Sequence, residues 1–225
     1  MNHRQKQQVG IGLLLLIGVL PFLLNGFYNV SVVHAPRLFW LLEIYTWVAL
    51  PIFVYLIGSK RRWFTAAQLG FSVFIINESS SKKLGAYILL GIVLVPAIYW
   101  FAVELASHFA LPAAGSFNSY YYAVQTSGKY HAAAVAFFAV TAGVVEEFYY
   151  RGMCRLLFAE DRSSKIFYVI ASSLIFASAH WEGGWHTLSV SVIMGAVLAS
   201  AYLHLKNLWP LIAGHIAVDL FWLWA

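Results

Sequence analysis

The chain reads as an all-α protein, a polytopic membrane helix bundle of about seven transmembrane helices plus a short amphipathic interfacial helix. Two observations predict this. Of its 225 residues, 61% are hydrophobic and only 10% charged, with mean hydropathy +0.74, far outside the makeup of a water-soluble domain. The apolar residues also gather into segments near 9–27, 38–58, 84–106, 131–157, 165–182, 187–204 and 208–225, each close to the ~20 residues that cross a hydrocarbon core. The connections between them are too short for a second folded unit, so residues 1–225 are read as one integral membrane domain with a motif-bearing core at about 131–225.

The first segment follows HRQK and is long, and no small-x-small cleavage site comes after it, so it is expected to remain as a span. Of the 14 lysines and arginines, all but Arg37 and Lys129 fall on one side of the alternating segments. By the positive-inside rule this puts the N-terminus in the cytoplasm and the C-terminus outside. The stretch WFTAAQLGFSVF after KRR is too short to span and is expected to lie as an amphipathic helix on the cytoplasmic surface. The segment from Ser107 to Tyr130, with Pro112, Gly115 and SYYY, is the longest irregular stretch and is expected as an outer loop. Most tryptophans lie near segment ends, where interfacial aromatics belong. A formal charge of +5 does not imply nucleic acid, because the basic residues sit between spans, where they set topology. The single cysteine, Cys154, excludes an intramolecular disulfide and offers no thiolate metal site; it reads as a small packing residue.

Polar residues inside spans carry the functional reading, since a charge at the bilayer centre costs ~2.5–3.5 kcal/mol on insertion scales and normally faces a protein interior or a wet cavity. On the fourth segment, in VVEEFYYRG, Glu147 and Arg151 are four apart and placed to form an ion pair. Glu146 is rotated about 100° from Glu147 and is expected to be left free. An apolar, partly hydrated cavity is the setting in which a free carboxylate becomes a useful general base. In FASAH, Phe176 and His180 share a face of the fifth segment; in HIAVD, His215 and Asp219 share a face of the seventh. Either histidine alone would read as a hydrogen-bonded core residue. Together with a free glutamate they supply what peptide hydrolysis needs, a base for water and donors for an oxyanion.

EEFYYRG resembles the E-E-x-x-x-R motif of the CPBP family of intramembrane proteases, the family of the Ras-converting CAAX endopeptidase. FASAH is similar to its F-x-x-x-H motif and HIAVD to its H-x-x-x-N/D motif, in the same order and on three separate segments. The likeness runs from Gly143 to the C-terminus, and LWPLIAG before the last motif shares it. The resemblance implies a glutamic endopeptidase in which Glu146 and His180 activate water, while His215 and the last-motif residue stabilise the oxyanion. Glu147, Arg151 and Phe176 would then support the site. Asp219 stands where the CAAX endopeptidase branch has Asn; an ionised carboxylate accepts but does not donate, so its expected role is to orient His215.

The implied chemistry uses no cofactor. Zinc on Glu146, His180 and His215 is the alternative, since Glu, His and His form a competent catalytic ligand set, although the histidines do not make H-E-x-x-H. The expected partners are membrane lipids and a peptide or protein substrate with a hydrophobic or lipidated segment, and no nucleic acid. The small, single-domain chain points to a bacterial or archaeal plasma membrane, where members of the family process signal peptides, bacteriocin-related peptides or C-terminal sorting tails. A proton-coupled transporter or a non-catalytic immunity or scaffold partner would share the fold, but neither needs Glu146 for peptide cleavage.

Overall fold

The computed structural model describes residues 2–28, 34–72, 78–109, 131–158 and 162–224. Among these there is no strand, and the chain runs as seven helical rods: α1 (His3–Tyr28), α2 (Pro36–Lys60), α3 (Glu78–His108), α4 (His131–Phe158), α5 (Arg162–Ser178), α6 (Gly184–Leu205) and α7 (Trp209–Trp224). Each expected apolar segment lies within one rod or runs a few residues past its end. Five of the rods, α1, α2, α3, α4 and α6, are long and apolar enough to cross a membrane; α5 and α7 are shorter apolar helices. The outer loop expected at 107–130 lies outside the described residues from position 110 onward.

Two rods widen locally. In α2 the turn Tyr45–Ala49 is a π-helix, just ahead of Pro51. A proline has no N–H for the carbonyl four residues back, and a wide turn relieves the clash of its ring with that carbonyl. In α4 the π turn covers Glu147–Met153, the charged motif itself. Such a turn weakens the regular ladder, and α5 compensates: the Ser172 hydroxyl donates to the Tyr150 carbonyl and the Tyr168 hydroxyl to the Arg151 carbonyl, both buried.

The stretch after α2 differs from the expected surface helix. Thr65 and Gln68 form a reciprocal capping box, with the Gln68 N–H donating to Thr65 Oγ1 and the Thr65 N–H to Gln68 Oε1. The box starts a single hydrogen-bonded turn rather than a helix, and it stops at Gly70, whose φ of 92° leaves the helical region. The segment is also pinned from within. Tyr202 donates to the Leu69 carbonyl at 2.7 Å, the Leu208 N–H to the Gly70 carbonyl at 2.9 Å, and Asn207 to the Ser72 carbonyl at 2.8 Å. Phe64 and Leu69 are buried, so this turn braces the start of α7 rather than floating on a lipid surface.

Close helix approach positions α7 between α3 and α4. A Cβ on Gly214 would stand 2.6 Å from the Gly91 carbonyl, one on Gly91 would collide with the Pro210 carbonyl, and one on Gly143 would stand 2.6 Å from Ile216. Small residues at such crossings let backbones touch where the hydrophobic effect supplies no drive between helices. Gly91→Val should therefore push α7 away from α3 and lower the thermal midpoint in detergent, by an amount corresponding to about 1–3 kcal/mol of overpacking. An unchanged midpoint would show that the two backbones have room to separate.

Candidate active site

The π turn of α4 faces α7, and His215 stands between two carboxylates. Its Nδ1 lies 2.9 Å from Glu147 Oε1, and its Nε2 lies 3.5 Å from Glu146 Oε2 and 3.8 Å from Asp219 Oδ2. Arg151 Nε is 3.3 Å from Glu147 Oε2, with both side chains fully buried. The expected Glu147–Arg151 pair is present, one turn apart on the same rod.

Glu146 is not free, as the 100° offset suggested. An imidazole presents its two nitrogens on opposite sides, so neighbouring carboxylates that diverge from one helix can hold it from both. The orienting contact expected of Asp219 is likewise made by Glu147, which occupies Nδ1; Asp219 stands farther away on the Nε2 side. Arg151, counted in the sequence among the cytoplasmic charges, is at no surface, since its side chain is wholly enclosed.

Phe176 links the parts. Its ring lies 4.7 Å from the His180 ring, 6.2 Å from the His215 ring and 5.3 Å from the Tyr150 ring, with the Arg151 guanidinium 4.5 Å from its centroid. That last contact is a cation–π interaction that partly replaces water around a buried charge. Among the described residues His180 forms no ion pair with Glu146; it joins the cluster through Phe176 and lies within electrostatic range of His215 and Asp219. The helix α5 has 17 residues, about 25 Å, shorter than a ~30 Å hydrocarbon layer is thick. The chain then turns through Trp181–Gly183 into α6 at Gly184, with φ of 71°, where the sequence GG permitted a bend.

Hydrogen bonding assigns the imidazole tautomers. His180 Nδ1 is 2.9 Å from the Phe176 carbonyl, which only accepts, so Nδ1 carries the proton and neutral His180 keeps its lone pair on Nε2. His215 Nδ1 faces a carboxylate and is likewise the donor. His180 thus keeps Nε2 as its basic nitrogen, whereas the Nε2 of His215 faces the Glu146 and Asp219 carboxylates. Several buried polar atoms here have no hydrogen-bond partner: Glu146 Oε2, Arg151 Nη1 and Nη2, and the Tyr150 hydroxyl. Buried groups of this kind call for an explanation, and substrate or water at a reaction site is one. Among the described residues no three His, Cys, Asp or Glu side chains are arranged as ligands around a common metal position. Sequence reasoning missed Tyr150, although it stands inside the motif; nothing in EEFYYRG tells a hydroxyl turned to the interior from an interfacial one.

A helical bundle of membrane length with charged residues enclosed at its heart defines an integral membrane protein of the polytopic class, the class in which intramembrane peptidases occur. Residues 128–221, running from α4 into α7, match the family model described as Rce1-like, type II CAAX prenyl endopeptidase Rce1-like, and this part of the chain is similar to that CAAX-protease family. Comparison with curated proteins and with solved structures gave no match.

Proposed function

We propose that this protein is an intramembrane glutamic endopeptidase that cuts a peptide bond in a membrane-associated or lipidated substrate. Glu146 takes a proton from water, and the open Nε2 of His180 accepts a hydrogen bond that aligns the water for attack on the carbonyl carbon. His215, gripped through Nδ1 by Glu147, holds Glu146 in place, and Arg151 balances the charge of Glu147. Asp219 completes the polar wall beside His215. The observation that carries this reading is the Glu146 carboxylate, only 6% exposed, with one oxygen unpartnered except for the His215 imidazole 3.5 Å away. The match of 128–221 to a CAAX endopeptidase family supports it independently.

The reaction as proposed uses no metal, and the substrate reaches the site sideways from lipid, as an apolar or prenylated C-terminal segment would. The protein would sit in a bacterial or archaeal plasma membrane with its N-terminus in the cytoplasm. Purified protein in detergent is expected to cleave a quenched-fluorescent peptide carrying a farnesylated cysteine four residues from its C-terminus. His180→Ala and His215→Ala are each expected to abolish this, and 1,10-phenanthroline is expected to leave it unchanged. Loss to the chelator with recovery on added zinc would replace the glutamic mechanism by a metal one. Comparative proteomics of membranes with and without the protein would reveal the natural substrate as an uncut precursor.

A further inference from the structure

Peptide hydrolysis places negative charge on the carbonyl oxygen, and the largest single contribution to such catalysis is a donor fixed where that charge develops. The residues named so far are poor donors for it. His180 spends its N–H on the Phe176 carbonyl, and His215 spends its Nδ1–H on Glu147. The His215 Nε2 faces Glu146 and Asp219, so a proton there is drawn to carboxylates. Asp219, when ionised, accepts only.

The Tyr150 hydroxyl has the properties that the others lack. The residue is fully buried and its oxygen has no hydrogen-bond partner. It sits four residues after Glu146, on the π turn, so its ring rises from the same side of α4 as the carboxylate. The ring packs edge-on against Phe176 at 70°, the same ring that touches His180 and His215. Its oxygen lies in the fields of Glu146 and Arg151. A phenylalanine would pack in this place without burying an unpaired hydroxyl, so packing alone gives no reason for the oxygen.

We infer that Tyr150 is a further catalytic residue whose hydroxyl donates a hydrogen bond to the scissile carbonyl oxygen as it becomes an oxyanion. The inference rests on the endopeptidase reading above. In the step, the water oxygen bonds to the carbonyl carbon while one water proton passes to Glu146 and the carbonyl π pair moves onto oxygen, where Tyr150 holds it. When the intermediate collapses, that pair re-forms the carbonyl, the C–N bond breaks, and the proton on Glu146 passes to the leaving amine.

The test is Tyr150→Phe, assayed with the farnesylated peptide and with a peptide of the same sequence bearing a phosphinic group in place of the scissile amide. The expected result is a fall in kcat of about 10²–10³-fold with KM unchanged. The phosphinic peptide, which carries the oxyanion, should bind more weakly by a similar factor while substrate affinity holds. The thermal midpoint should not fall, because the hydroxyl makes no bond in the free protein. A Tyr150→Phe enzyme with wild-type kcat overturns the inference, and so does one whose kcat falls only together with its thermal midpoint. Glu146→Gln, run alongside, separates the two proposals. An inactive Glu146→Gln beside a fully active Tyr150→Phe sinks this inference alone, whereas activity in Glu146→Gln, or none in wild type, sinks the endopeptidase reading and this inference with it.

Discussion

Glu146→Gln is expected to lower the rate of peptide cleavage by about 10²–10⁴-fold, the range supplied by a positioned general base. Glutamine keeps the volume and planar shape of the side chain but accepts no proton from water, so the fold should be unaffected and the loss should appear in kcat. Burial sharpens the effect. Glu146 is 6% exposed, with the His215 imidazole 3.5 Å away, leaving little room for bulk hydroxide to substitute for the missing base. Single-turnover cleavage of the anchored peptide in detergent measures it. A residual rate within tenfold of wild type would remove Glu146 from the role of base and shift attention to His180 or Asp219.

Glu147→Ala should act differently, mainly on stability. It removes the one carboxylate paired with Arg151 among the described residues and leaves that guanidinium fully enclosed beside the Phe176 ring. Removing one partner of a buried ion pair costs about 3–5 kcal/mol, because the other charge remains desolvated and uncompensated. The same change frees His215 Nδ1, so activity should fall as well. A double change, Glu147→Leu with Arg151→Leu, is expected to restore most of the thermal midpoint without restoring cleavage, since an apolar pair replaces a buried salt bridge at little cost. Thermal unfolding in detergent separates the outcomes. If Glu147→Ala melts with wild type, water reaches Arg151 and the enclosure seen here is incomplete.

The membrane bundle was legible in the sequence because hydropathy is a property of composition and segment length. Seven apolar stretches became seven rods, and the charged motif fell inside the fourth as read. The Glu147–Arg151 pair was legible for a similar reason, since residues four apart meet on any helical rod, and the pair survives the wide turn. Residues 63–72 mark where local reading stopped. TAAQ signals a helix start, but the stop at Gly70 and the bonds from Tyr202, Asn207 and Leu208 come from chain more than a hundred residues later. Hydropathy alone could not tell a lipid-surface helix from a braced turn.

The amino-acid order by itself determined which residues could be polar and enclosed: Glu146, Glu147, Arg151, His180, His215 and Asp219 each stand in apolar runs that a bilayer would bury. Only the tertiary structure decided which of them meet. His215 reaches both glutamates because glycines at 91, 143 and 214 let α7 approach α3 and α4 backbone to backbone. Phe176, on α5 one turn before His180, carries the ring that links His180 to His215, Tyr150 and Arg151. Helical periodicity assigns a direction around one rod, while distance between rods is set by the smallest side chains at their crossing, and those contacts are non-local. The Tyr150 hydroxyl belongs to the second kind of knowledge, for whether an oxygen is paired depends on every neighbour that folding brings to it.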